Sequence, residues 1–303
     1  MRLAAAGLVL CTVLLWQVSV SADEETAEKE WAPLSAGPIT TWSAPMVGKG
    51  KLVIQPSALY THTRGSFNDD GHYEALSNGN KKSFFQEQFF SQYGITENWE
   101  IDAQTVYQEN YVTQDGAKAH ARGLADSFLF TRYELFEEKG WLPEATGLLQ
   151  LKLPTGKYQH GELDKLSSDL MGTGSWDPGV GIIMTKRMKP FLIHADAIMN
   201  FPQHVRVDGD KTQYANYLNC DAAVEYFLPR GFNLMAEVNG LFQGDKKING
   251  EKKPASDTES LTFSPGIGWS NDRIQTLIAY QRTILGTNVD ANDSIVATFV
   301  YTF

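Results

Sequence analysis

Ionisable side chains recur at alternate positions in several stretches of this sequence. Glu100 and Asp102 are two residues apart, as are His194 and Asp196. Residues two apart lie on one face of a β-strand, so such side chains would form ion pairs or hold ions along a polar wall. The candidate wall positions are Glu100, Asp102, Asp126, Arg132, Glu134, Lys152, His194, Asp196, Asp221, Glu225 and Glu237.

The spacing of these residues supports catalysis or metal binding less well than it supports a polar wall. His194 and Asp196 share a strand face, but a catalytic set also needs a nucleophile within hydrogen-bond reach, which the sequence does not place. The six histidines show no metal-ligand spacing. The Asp-Gly pairs at 70–71 and 208–209 are typical of tight turns and lack the twelve-residue calcium-loop pattern. We therefore expect no catalytic residue, no metal and no cofactor.

The elements that must position these side chains are strands. Residues 99–107 alternate between an apolar face with Trp99, Ile101 and Tyr107 and a polar face with Glu100 and Asp102. Such period-two alternation predicts half-buried strands. It recurs in twelve stretches, 51–63, 83–94, 99–110, 124–136, 146–153, 177–186, 191–201, 214–227, 232–243, 259–270, 274–284 and 294–303.

The connections between these stretches alternate in length. Short links such as 95–98 follow the even-numbered strands, and longer polar loops such as 64–82, 111–123, 154–176 and 285–293 follow the odd-numbered ones. This pattern favours an all-β fold, a transmembrane antiparallel β-barrel of about 12 strands with short periplasmic turns and longer external loops. A soluble β-sandwich or lipocalin-like barrel would share the period-two pattern, but it would not need aromatic residues near the strand ends.

The N-terminus predicts export. Arg2 precedes an apolar run and then small residues ending at Ala22, as in a cleavable signal peptide covering 1–22. Cys11 follows a leucine, which disfavours lipid attachment there. Without residues 1–22 the chain keeps 25 basic and 36 acidic residues, a net charge of −11. An acidic chain argues against nucleic acid as a partner. The single remaining cysteine, Cys220, cannot form an intrachain disulfide.

Two flanking segments complete the domain plan. Residues 23–50 are irregular and contain three prolines, which predicts a periplasmic N-terminal extension, or a plug anchored inside the barrel by Trp31 and Trp42. Residues 51–303 are assigned to the barrel. Its last strand ends on Phe303, and Phe299, Tyr301 and Phe303 on one face resemble the C-terminal signature by which the barrel-assembly machinery recognises outer-membrane proteins.

A second resemblance covers most of the chain. Residues 93–100 (YGITENWE), 151–156 (LKLPTG) and 172–179 (GTGSWDPG) resemble motifs of the outer-membrane family labelled putative MetA pathway of phenol degradation. The resemblance implies a bacterial outer-membrane channel for passive uptake or efflux of small organic molecules, aromatic or hydrophobic ones among them, in contact with membrane lipids.

Two alternatives to this channel remain open, a lipase-like barrel enzyme and a structural or adhesive barrel with a closed lumen. We expect the acidic wall to disfavour anions. The permeant, the direction of transport and the oligomeric state stay open.

Overall fold

The computed structural model describes Trp31, residues 33–35 and residues 37–303. The predicted signal peptide, residues 1–22, lies outside the described residues, as does the start of the predicted extension. No helix in the described part of the chain is long and apolar enough to cross a membrane.

Antiparallel strands dominate the described chain. They are β1 (Leu52–Phe67), β2 (Tyr73–Ala75), β3 (Lys81–Thr96), β4 (Trp99–Gln114), β5 (Ala117–Leu124), β6 (Ser127–Phe136), β7 (Glu144–Leu153), β8 (Asp177–Met188), β9 (Phe191–Asn200), β10 (Val205–Val207), β11 (Asp210–Gln213), β12 (Tyr217–Phe227), β13 (Phe232–Gln243), β14 (Lys247–Ile248), β15 (Glu251–Lys252), β16 (Thr258–Ser270), β17 (Ile274–Thr287) and β18 (Val289–Thr302).

These strands close into a barrel of twelve strand positions. Neighbouring positions pair antiparallel from β18 round to β3, and β1 pairs with β18 to complete the circle. Strands β5 and β6 occupy one position, because both pair with β4, one above the other. The predicted all-β, twelve-stranded antiparallel barrel is confirmed.

Side chains alternate between the two faces of the wall. On β4, Glu100, Asp102 and Val106 point inward and are buried, whereas Trp99 and Ile101 point outward and are exposed. The inner face carries the polar residues and the outer face the apolar ones, the reverse of a soluble barrel. The alternation in the sequence therefore reflects an apolar environment around the barrel and a polar environment inside it.

The prediction of long loops at 111–123 and 285–293 is wrong. Strands β4 and β5 continue through the first region and meet at a tight turn, where Asp115 and Gly116 have positive φ. Strands β17 and β18 similarly meet at Asn288, with φ 52°. At the first of these hairpins the outward residues are mainly polar, among them Lys118 and His120, so the strand ends resembled a loop in the sequence.

Loops gather at the end of the barrel opposite the short turns. A second, four-stranded sheet of β10, β11, β14 and β15 joins the loops before β12 and after β13. The loop 154–176 contains a short 3₁₀ turn, Leu163–Lys165. We call this end of the barrel the loop end and the other the turn end.

Candidate functional site: the barrel interior

The chain segment before β1 runs inside the barrel. This N-terminal segment, residues 31–50 as far as they are described, starts at the turn end, where the ring of Trp31 packs edge-on against Phe227 at 5.7 Å between centroids. It reaches into the interior at Trp42 and returns to the turn end, where Gly50 N donates to Gly94 O at 2.8 Å. The segment therefore occupies the turn-end half of the lumen.

Glu237 of β13 is the strongest polar attachment of this segment. Its carboxylate accepts hydrogen bonds from the backbone N–H groups of Ile39, Thr40 and Thr41, with Thr40 N at 3.0 Å and Thr41 N at 3.2 Å. The Thr41 hydroxyl donates to the same carboxylate. Three consecutive amide donors converge on one buried anion, because a segment without its own helix or strand must satisfy its N–H groups elsewhere.

Other wall carboxylates hold the same segment. Asp196 accepts from Trp42 N at 2.8 Å, and Glu100 accepts from Val47 N at 2.9 Å. Glu225 accepts from the hydroxyl of Ser35. On the donor side, Arg132 Nη1 donates to Ser43 O at 2.7 Å. The inner acids predicted as a selectivity wall thus include four that bind the N-terminal segment.

Trp42 adds an apolar anchor at the top of the segment. Its ring lies 4.9 Å from that of Phe130 and 5.7 Å from that of Phe90, both edge-on, and the guanidinium of Arg132 lies 5.2 Å from its ring centroid. Ala44 beside it is fully buried in a cluster with Phe130, Leu148, Ile183 and Ile198. Aromatic packing of this kind contributes about 0.5–1.5 kcal/mol per pair beyond area burial.

All eleven predicted wall residues lie on the inner face, and all but Glu134 are buried, with at most 9% of their surface exposed. Arg132 pairs with both Glu100 and Asp102, the latter at 3.1 Å. Lys152 is 3.6 Å from Asp126, and His194 Nε2 is 3.0 Å from Glu225. Their role in selectivity stays a prediction.

Three of the buried wall acids have no basic partner within the described residues, Asp196, Asp221 and Glu237. Asp196 and Asp221 are direct neighbours across the β9–β12 pair. Asp221 accepts from Gly240 N, at 3.2 Å, and from the side chain of Asn239, and one oxygen of Asp196 has no hydrogen-bond partner in the described chain. The negative excess of the interior is therefore concentrated on β9, β12 and β13, beside the N-terminal segment.

The loop 154–176 is fixed to the wall by a second charged group that the sequence did not connect. Lys152 lies 2.6 Å from Asp177 and also near Asp126, whose carboxylate accepts from Gly156 N and Thr173 N. At Gly172 an added Cβ would come within 2.5 Å of Asp126, so only glycine fits. The motifs 151–156 and 172–179 therefore fix this loop at the barrel rim.

Nearer the loop end, the wall of β3 and β4 is polar but uncharged. Gln86 donates to Gln108, Gln88 donates to Gln86 at 3.1 Å, and Gln108 donates to Asn110 at 2.7 Å. These amides were not predicted, because only ionisable residues were candidates for the wall. Their alternate spacing on β3 and β4 was the available signal.

A hydroxyl, an imidazole and a carboxylate form a hydrogen-bonded row across the neighbouring strands β8, β9 and β12. Thr185 Oγ1 is 3.0 Å from His194 Nδ1, and His194 Nε2 is 3.0 Å from Glu225. All three side chains are at most 1% exposed, and the Thr185 hydroxyl also accepts from Ala44 N at 2.9 Å. The arrangement supports the N-terminal segment and offers no access to a substrate. No group of three or more metal-binding side chains occurs among the described residues.

The predicted assembly residues lie at the turn end of β18 and just beyond it, on the outer face. Phe299 and Phe303 are exposed, and the rings of Tyr301 and Phe303 pack edge-on at 4.6 Å between centroids. Their part in recognition by the assembly machinery stays a prediction.

Comparison with solved structures places this architecture in a known class. The COG4313 outer membrane channel from Pseudomonas putida F1 superposes with a TM-score of 0.71 at 13% identity, over 89% of this chain and 100% of that one. The NanC porin matches with a TM-score of 0.49 at 9% identity, over 82% of this chain and 98% of that one. The fold is that of an outer-membrane β-barrel.

The family follows from the sequence itself. The family model described as "Putative MetA-pathway of phenol degradation" matches residues 61–299, and the chain belongs to this family. The resemblance drawn from the three motifs is confirmed. No curated protein matches the chain.

Proposed function

We propose that this protein is an outer-membrane channel for small neutral or cationic organic molecules, whose passage is narrowed at the turn end by the N-terminal segment. The observation that carries the proposal is the division of the interior into two parts. On β3 and β4 the loop-end half is lined by uncharged amides with aromatic rings below them, whereas the turn-end half is acidic and holds the segment.

The loop-end half suits neutral organic solutes. The amides of β3 and β4 can donate hydrogen bonds to a permeant and accept them from it. Because amides carry no net charge, they do not require a charged permeant. Below them Phe90, Phe128 and Phe130 lie on the inner face, with Phe128 and Phe130 stacked at 5.9 Å. Aromatic walls of this kind favour flat apolar molecules.

The acidic half supports discrimination against anions. Asp196, Asp221 and Glu237 have no basic partner within the described chain, and they lie on the wall of a narrow, poorly screened interior. A cation or a neutral molecule passes such a wall more easily than an anion does.

Solute flux into liposomes tests the proposal. Proteoliposomes containing the mature chain should swell with small neutral aromatic solutes and with organic cations, and more slowly with anions of the same size. A matched control is the same protein unfolded before reconstitution. Absence of swelling with every solute would favour the alternative of a closed structural barrel, and faster swelling with anions would contradict the proposed selectivity.

A further inference from the structure

A groove on the described protein lies on its membrane-facing wall and not in the lumen. It has a volume of about 670 Å³, within the range of small-molecule sites. Its floor is built from small outward residues, Pro56 and Ala58 of β1 and Ala297 of β18. Large exposed side chains border it, Phe89, Leu124, Ile278 and Phe299, together with the half-buried Tyr107.

The groove crosses the strands along one line of paired residues. Ile278 pairs with Ala297, Ala297 with Ala58, and Ala58 with Glu87. Because barrel strands are tilted, this line climbs from the turn end at β17 toward the loop end at Leu124 of β5. An extended hydrocarbon chain fits an oblique, apolar depression of this form.

Glu87 is the only carboxyl-bearing residue among those that line the groove. It points outward between Ala58 and Tyr107 and is exposed, and no hydrogen bond or ion pair joins it to another residue of the described chain. It stands six residues along β3 from Tyr93, an exposed aromatic residue near the turn end, which is about 15 Å along the barrel axis. The apolar band of such barrels is about 25 Å tall, so Glu87 lies within it.

An unpaired carboxylate at this depth requires an explanation, because burying a charge in hydrocarbon is costly and such residues mark functional sites. Glu109 on the neighbouring strand is also an outward acid, but it accepts a hydrogen bond from Tyr111 at 2.7 Å and lies 3.5 Å from His120. Glu87 lacks any such partner, and it faces a groove that a ligand can enter.

We infer that the groove binds a single-chain amphiphile with a protonated primary amine, the chain lying along the small-residue floor and the ammonium paired with the Glu87 carboxylate. Charge complementarity selects the head group, since an ammonium satisfies the carboxylate and both are neutralised within the apolar band. The site faces lipid and is separate from the passage described above, so it does not depend on the proposed function.

Photo-crosslinking of the full-length mature protein in phosphatidylcholine nanodiscs tests this inference. The probe is a long-chain primary amine carrying a diazirine, with cross-linked residues mapped by mass spectrometry, and the competitors are dodecylamine and dodecanol. We expect labelling at the groove border, displaced by dodecylamine about tenfold more effectively than by dodecanol. Glu87→Gln should remove this preference, and Ala58→Phe, which fills the floor, should abolish labelling.

The control variant is Glu109→Gln, which removes a neighbouring outward acid outside the groove and should leave labelling unchanged. Heat-modifiable migration of each variant confirms that the barrel is folded. Labelling spread evenly around the wall, equal competition by the alcohol, or an unchanged amine preference in Glu87→Gln would each overturn the inference.

Discussion

Replacing Glu237 by glutamine should loosen the N-terminal segment without disturbing the barrel wall. The carboxylate accepts from three consecutive backbone N–H groups, those of Ile39, Thr40 and Thr41. Glutamine has the same shape but only one acceptor oxygen, and its NH₂ group would face at least one of these donors. The variant therefore loses at least one charge-assisted hydrogen bond and leaves a donor unpaired.

The size of the effect follows from that loss. A hydrogen bond to a charged group contributes about 1.5–3 kcal/mol, so the equilibrium between the bound and released segment should shift roughly 10- to 150-fold toward release. Single-channel recording in planar bilayers measures this shift as the fraction of time spent in a larger conductance state.

The control variant is Glu134→Gln, which removes an inner-face acid that makes no contact with the described part of the segment. It should leave the gating of the parent protein unchanged. If Glu237→Gln also behaves like the parent, or if the two variants change the conductance alike, the carboxylate does not hold the segment in the working channel and the reasoning fails.

Three further outcomes are expected. In a cysteine-free background, a cysteine at Asn249 should react with an impermeant reagent on intact cells and one at Asn271 should not; the reverse pattern would invert the orientation. Deletion of Phe303 should sharply lower the amount of heat-modifiable protein in the outer membrane, and normal levels would exclude an assembly role. The hydrogen bond from Lys252 lowers the pKa of Asp245 from 3.8 to about 2. Because the carboxyl pKa is lower in the folded loop, the ionised Asp245 stabilises the loop at pH values above its ordinary pKa, and this stabilisation is lost as the pH falls through the lowered pKa. Resistance of the 245–257 loop to an acid-active protease should therefore persist to about pH 3 and fall near pH 2. Loss of resistance already at pH 5 would contradict this.

The fold could be predicted from the sequence because each strand has to satisfy two environments at once. Along β4 the alternation of Trp99, Ile101 and Tyr107 with Glu100 and Asp102 determines which face meets lipid. The strand ends beyond the membrane could not be predicted in the same way. Around Asp115 both faces of the hairpin are in water, so the period-two pattern disappears although the backbone pairing continues.

The interior could be predicted only in part. The inward orientation of Asp196 and Glu237 follows from the two-residue period of a strand. Their hydrogen-bond donors belong to the N-terminal segment, which has no periodic pattern and so could not be placed from the sequence. Trp42 was a candidate anchor from its type alone, but its position against Phe130 required the closed barrel. The pairing of Lys152 with Asp177 likewise joins residues whose proximity depends on how the loop between them returns.

The reversal potential of residues 23–303 reconstituted in planar bilayers under a salt gradient measures the proposed selectivity. We expect a conducting pore with a preference for cations, and a smaller preference in Asp221→Asn. Asp221 has no basic partner and no direct hydrogen bond to the N-terminal segment in the described chain, so this variant changes a wall acid without removing a direct attachment of the segment. A pore that prefers anions, or a cation preference that Asp221→Asn leaves unchanged, would contradict the proposed selectivity.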